Sequence, residues 1–229
     1  MRIHWWFRSI HQERYISSNL GYSGHNFERT DIKCAQYGGK ASAKDKIKKI
    51  PVIFIHGDSD IGFGRGSTDG YVSWQTGFTQ LATYLTSQGY TKAELYTYTW
   101  GPANPNAASQ NYHSKANVLA ARAFIEAVIK YTNATQVNVI GHSMGVSLAR
   151  KALKGGSAAD HTGSYDVGAP LTSKVKTFVG LAGANLGLNQ CYGAQAIPTC
   201  GTVDGFYPGL LSTSGPSKYL AEINSNSAA

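Results

Sequence analysis

Residues 141–145 read Gly-His-Ser-Met-Gly, and their setting constrains the fold of this chain more than any other stretch. The run Val137-Asn138-Val139-Ile140 enters them as a buried strand would. After them Met144, Val146, Leu148, Ala149, Ala152 and Leu153 recur at helical spacing, until Lys154-Gly155-Gly156 supplies the basic and glycine signals of a helix end. A strand that turns into a helix through a single residue holds that residue at strained dihedrals and lifts its side chain clear of the fold. Gly141 and Gly145 fit such a turn, because side chains there would collide with the incoming strand and the outgoing helix. The pentapeptide alone is a weak signal in a chain with 26 glycines, so the flanks carry the reading. The bland alternative is a buried strand-to-helix turn with a spectator serine.

The rest of the chain repeats the alternation. Pro51-Val52-Ile53-Phe54-Ile55 is a short continuous apolar run, the pattern of a strand buried on both faces. A glycine-rich loop spans 62–73, and residues 74–87 carry Phe78, Leu81, Ala82 and Leu85 at helical spacing. Residues 93–100 alternate as a strand, 116–131 form a helix with Ser114 as its N-cap, and 174–183 read as one further strand. Strands alternating with helices of this length predict an α/β domain with a mostly parallel sheet and helices on both faces. Residues 1–49 read as an irregular basic leader and 50–229 as the folded domain.

Net charge is +8, with lysines and arginines concentrated in the first 50 residues and no arginine–aromatic interleaving of the kind that reads nucleic acid. A solvated basic face is the plain reading, and approach to an anionic lipid surface the alternative. No window is apolar enough to span a membrane. Cys191 and Cys200 flank Ile197-Pro198 in a loop that a disulfide would close, which suggests an oxidising compartment. Cys34 is left over, and no His/Cys cluster suggests a metal. Asn133-Ala134-Thr135 is a glycosylation sequon. Residues 1–8 lack the apolar core of a signal peptide, so the cysteines and the leader point in opposite directions.

An exposed serine on such a turn suits acyl transfer, which needs an activated nucleophile, a base aligned by an acid, and donors for the oxyanion. Ser143 supplies the nucleophile. The backbone N–H of Met144 and that of Asp58, where Gly57 lets the chain turn, supply the donors. His56 and His113 read as structural histidines. No cofactor is called for.

The stretches Pro51–Gly57, Tyr84–Tyr90, Gly141–Gly145 and Val179–Gly187, in this order and spacing, resemble the class 2 lipases of the α/β-hydrolase superfamily. The resemblance covers roughly residues 50 to 224. It implies an α/β-hydrolase fold and a secreted, cofactor-free lipase or carboxylesterase acting on glycerides or similar esters. By matching positions it implies Ser143 as nucleophile, with Asp58 and Met144 as oxyanion donors.

The acid and base depart from that pattern. They would follow the serine in the order acid, then histidine. Only His161 follows Ser143, and the acids are Asp160, Asp166, Asp204 and Glu222. Asp160 is adjacent to His161, where it cannot easily align the ring. Asp204 comes after His161, although chain order alone does not forbid a spatial triad. Residues 157–168 read as a loop, and 184–229 show no convincing strand. The triad acid and base are therefore unassigned, and the expectation is a domain lacking its last strands at the C-terminus. A second possibility is a catalytically impaired scaffold that binds lipid or a partner protein. An acyltransferase built on the same turn cannot be separated by sequence, and neither substrate chain length nor oligomeric state is legible.

Overall fold

A computed structural model describes residues 22, 24–25, 27–42, 44–209 and 215–225, and the readings made for residues 1–21 lie outside them. In chain order the main elements are β1 (Gln36–Tyr37), β2 (Val52–Ile55), α1 (Thr79–Ser87), β3 (Leu95–Tyr98), α2 (Lys115–Thr132), β4 (Val137–His142) and α3 (Met144–Lys154). The hairpin β5 (Ser157–Asp160) and β6 (Gly163–Asp166), then β7 (Val175–Leu181) and α4 (Lys218–Asn224), complete the list.

Five strands form one sheet in the order β1-β3-β2-β4-β7. Strands β3, β2, β4 and β7 are parallel, and β1 joins β3 antiparallel. The α/β reading therefore holds. The chain runs outward from β2 to β3, then returns past β2 to lay down β4. This reversal makes the carboxyl ends of β2 and β4 the crevice where ligands bind in open α/β sheets.

Side chains alternate between the two faces because successive Cβ atoms in a strand point opposite ways. Ile53, Ile55, Tyr96, Tyr98, Val137 and Val139 share one buried cluster with Phe124, Ile125 and Val128 of α2 and Leu148, Ala149 and Ala152 of α3. Val52, Phe54 and Leu95 pack on the other face against Phe78 and Ala82 beside α1. Each large apolar side chain fully buried this way contributes roughly 1.5–3 kcal/mol.

Several segments differ from the sequence reading. The leader is not wholly irregular: Gln36 and Tyr37 pair with β3, and Phe27 is buried edge-on against Phe124. The helix expected from residue 74 begins at Thr79, because Gly77 is spent on a bridge to Phe63 at φ +52°. Residues 157–166, read as a loop, form the β5–β6 hairpin. Helix α4 was not anticipated. Its Ser217 Oγ accepts the Leu220 N–H at 3.3 Å, and Tyr219, Leu220 and Ile223 are buried. Lys151 of α3, fully buried, donates to the Gly155 and Ser157 carbonyls at 2.8 Å and pairs with Glu222 of α4 at 2.8 Å. That ion pair ties the C-terminal segment to the helix following Ser143. Ser114 caps α2 as expected, its Oγ accepting the Asn117 N–H at 3.1 Å.

Strand β7 lies at the end of the sheet, and among the described residues nothing pairs with its outer edge. Val179, Leu181 and Leu186 are exposed there. No helix of the described residues is long and apolar enough to cross a membrane.

Candidate active site

At the carboxyl end of β4, Ser143 takes φ 50° and ψ −126°, a combination that a residue with a Cβ adopts only under constraint. Its N–H donates to Leu181 O at 2.9 Å and its carbonyl accepts the Val146 N–H at 3.0 Å. Ser143 is only partly buried. Among the described residues its Oγ makes no hydrogen bond. The first turn of α3 begins at the next residue, so the positive end of the helix dipole lies at the serine.

The glycines act by what they lack. A Cβ on Gly145 would overlap the carbonyl oxygens of Ile55 and His56, and one on Gly141 would come within 2.8 Å of Val146 Cα. Strand β2 and helix α3 therefore cross backbone against backbone. A Cβ on Gly57 would sit 3.0 Å from both His142 Nδ1 and Ser143 Cβ, which brings the loop after β2 directly against the serine.

That loop is clamped from three sides. The buried His56 ring donates through Nδ1 to Gly57 O at 2.7 Å and accepts the Trp100 N–H at Nε2, 3.0 Å. Trp100 Nε1 returns a bond to His56 O at 2.9 Å, and the two rings stack. Gln75 Nε2 donates to Ser59 O at 2.6 Å and Ala103 O at 3.0 Å. Asn111 donates to the Asp58 carboxylate, which also accepts from Ser59 Oγ at 3.0 Å. Burial holds the Asp58 carboxyl above its ordinary range despite these donors. Among the described residues no side chain and no turn carbonyl takes the backbone N–H groups of Asp58 and Met144.

The histidines divide clearly. Burial drives His56 down to about 3 and His113 down to about 4. His113 Nδ1 donates to Asp204 O at 2.7 Å and Nε2 accepts from Ser147 Oγ at 2.6 Å, which makes it a structural tie between α3 and the C-terminal segment. Both imidazoles are neutral when folded, whereas in the unfolded chain they titrate near 6.5. As pH falls the unfolded state takes up the protons first. Stability is then complete above about pH 6.5 and is lost progressively as pH drops toward the two folded values. The unfolding free energy, from urea titrations followed by tryptophan fluorescence, is expected to fall steadily from about pH 7 to about pH 4.5, by a few kcal/mol in total. A value that stays level down to about pH 5 contradicts the assignment of two buried neutral rings.

His161 sits at the tip of the hairpin, with its side chain 57% exposed. Its Nδ1 and its backbone N–H both donate to Asp204 Oδ2 at 3.0 Å. Tyr112 lies edge-on, its hydroxyl 3.5 Å from Nε2. The structure thus brings together an imidazole and a carboxylate that chain order alone had left apart. Asp160 caps α2, accepting the Lys115 N–H at 2.8 Å, Asp166 accepts from Gly168 N in an exposed turn, and Glu222 pairs with Lys151. Among the described residues no imidazole is hydrogen-bonded to Ser143 Oγ, and no group of three or more metal-ligating side chains is found. Cys191 and Cys200 form a disulfide as anticipated, with Cα atoms 4.9 Å apart, and Cys34 is free. The sequence signal for the His161–Asp204 pair was slight: one histidine after the serine, and several acids with nothing local to choose among them.

Residues 49–229 match the model of the family described as Lipase (class 2). Similar solved structures include lipase B of Aspergillus fumigatus, at 15% identity and a TM-score of 0.37, covering 71% of this chain and 31% of that one. EstA from Clostridium botulinum is 17% identical with a TM-score of 0.38, covering 85% of this chain and 56% of that one. The chain thus spans less than two thirds of the length of either. No curated protein matches it.

Proposed function

We propose, from the premise that the chain belongs to the class 2 lipase family, a family of lipolytic hydrolases, that it is a serine carboxylic-ester hydrolase cleaving the acyl esters of glycerides or similar lipids. The observation that carries this reading is Ser143 itself, held at φ 50° and ψ −126° at the start of α3 with its Oγ unengaged by the described residues. In the proposed reaction Ser143 Oγ attacks the ester carbonyl carbon and gives up its proton. The carbonyl oxygen becomes an oxyanion, accepting the N–H groups of Met144 and Asp58. The alcohol then leaves with the proton, and water hydrolyses the acyl-enzyme. Each oxyanion donor is worth roughly 3 kcal/mol of barrier when it is held in place beforehand. The clamping of the 56–59 loop by His56, Gln75 and Asn111 supports such preorganisation.

The disulfide between Cys191 and Cys200 supports an oxidising, extracellular setting. His161 with Asp204 is the oriented imidazole–carboxylate pair that the reading makes available for proton transfer. A fluorophosphonate probe tests the proposal. The wild-type chain is expected to be labelled at Ser143, as located by peptide mapping, and Ser143→Ala to be unlabelled. Equal labelling of the two proteins sinks the proposal. Absence of labelling in both, together with saturable fatty-acyl binding, supports the non-catalytic scaffold instead. A slower labelling rate in His161→Asn assigns that residue the base, and an unchanged rate removes it from the chemistry.

A further inference from the structure

The end of the sheet opposite Ser143 is rich in lysine. Where β2 and β3 begin, the chain presents Lys40, Lys44, Lys46, Lys48, Lys49 and Lys92. Their common location is fixed by contacts. The Lys40 N–H donates to Tyr131 Oη at 3.2 Å and the Lys40 ammonium lies 5.4 Å from that ring, at the end of α2. Lys49 Nζ donates to Gln88 O at 3.1 Å, just past α1, and lies 5.0 Å from the Tyr90 ring. Lys92, just before β3, sits 5.2 Å from the Tyr37 ring and accepts the Gly39 N–H at its carbonyl.

Among the described residues two carboxylates share this end, and both accept from nearby N–H and hydroxyl groups. Glu94 is buried and accepts the N–H groups of Lys48, Lys49 and Thr91. Asp45 accepts from Ala41 N and Ser42 Oγ. Between them Lys44, Lys46 and Lys48 are exposed while Asp45 and Ile47 are partly buried. Exposure alternates residue by residue from 44 to 48, as it does along an extended segment, where alternate residues lie about 6.5 Å apart and share one side. Tyrosine rings pack against the flanking lysines Lys40, Lys49 and Lys92.

We propose that this lysine-lined end of the sheet is a docking surface for an acidic polysaccharide, which holds the protein by the pole remote from Ser143. The linear row suits a linear polyanion. A bilayer is the less fitting partner, because an enzyme adsorbed on lipid through this pole would turn Ser143 away from that surface. Ile50 borders the lysine row as an exposed apolar residue, whereas the exposed Val179, Leu181 and Leu186 lie apart from it, along β7 and the segment after it. The inference does not depend on whether Ser143 turns over an ester.

The test is fluorescence anisotropy of a labelled heparin oligosaccharide titrated with the full chain, beside co-sedimentation with phosphatidylcholine vesicles containing phosphatidylserine. The wild type is expected to bind the oligosaccharide with an affinity that falls steeply as salt is raised. The triple variant Lys44→Ala/Lys46→Ala/Lys48→Ala is expected to bind about tenfold or more weakly with an unchanged circular dichroism spectrum and melting curve. Lys33→Ala, exposed at the other end of the sheet, is expected to bind as the wild type does. Equal binding by the triple variant and wild type overturns the proposal, as does binding to the vesicles without binding to heparin.

Discussion

Gly145→Val is expected to leave no cooperatively folded protein. The hydrogen it replaces faces the carbonyl oxygens of Ile55 and His56, so even a methyl group would overlap both. Those oxygens belong to backbone, not to side chains that can swing aside, at the end of the strand at the centre of the sheet and the residue after it. Overpacking in cores that can relax typically costs 1–3 kcal/mol. Here relief requires moving β2 away from α3, which breaks ladder bonds to both β3 and β4. The expected cost exceeds about 4 kcal/mol, a large part of the 5–15 kcal/mol that holds an ordinary domain together. Gly156→Ala is the control. It lies at φ +70° with no atom within 4 Å of the position its Cβ would take, so it is expected to lose only about 1 kcal/mol, from backbone strain alone. Urea denaturation followed by circular dichroism separates the two. A Gly145→Val protein with a wild-type midpoint would mean that β2 and α3 do not cross as described.

The same close crossing explains why the centre of the fold was legible. Strand β4, the Gly141–Gly145 turn and α3 were all readable, because the apolar period changes from 2 to 3.6 on either side of a residue pair that must be glycine. Strand β2 was legible as a continuous apolar run buried at every position, and helix α2 as a regular apolar stripe on its inner side. Segments whose shape comes from elsewhere were not. Ser157-Ala158-Ala159-Asp160 and Gly163-Ser164-Tyr165-Asp166 carry little apolar pattern. They pair because Asp160 is fixed by the start of α2 and Tyr165 is buried beneath the hairpin. Helix α4 has seven residues, too few to show a period, and is anchored through Glu222 on the buried Lys151.

At the site, Ser143, Gly57 and Gly145 could be found from sequence because local backbone geometry dictates them. The pairing of His161 with Asp204 could not, since it depends on where the hairpin and the segment after the disulfide come to rest. His113 contributes to that placement by holding the backbone of Asp204 with two bonds, at 2.7 and 2.9 Å. Of the residues that clamp the 56–59 loop, His56 was legible as a structural histidine, whereas Gln75 and Asn111 were hidden. Gln75 and Asn111 reach it from segments 16 and 52 residues away, and His56 acts through Trp100 at the end of another strand.

Ser143→Gly is expected to abolish ester turnover while raising stability. Removing the nucleophile of a serine hydrolase lowers turnover by roughly four to six orders of magnitude, because the remaining donors act on a substrate that nothing attacks. On the stability side, the serine occupies φ 50° and ψ −126°, where a Cβ costs on the order of 1–3 kcal/mol and glycine is at ease. Its Oγ has no hydrogen bond to lose among the described residues. Glycine gives back part of the gain through the greater freedom of the unfolded chain, roughly 0.5–1 kcal/mol. The net expectation is a gain of about 1 kcal/mol over wild type. Ser143→Ala isolates the cause: it removes the same hydroxyl and the same turnover but keeps the Cβ, so its stability is expected to stay at the wild-type level. Turnover of a p-nitrophenyl ester and urea midpoints, measured on all three proteins, decide the matter. If the glycine and alanine variants unfold at the same midpoint, the backbone at Ser143 stores no strain. If either variant retains wild-type turnover, Ser143 is not the nucleophile.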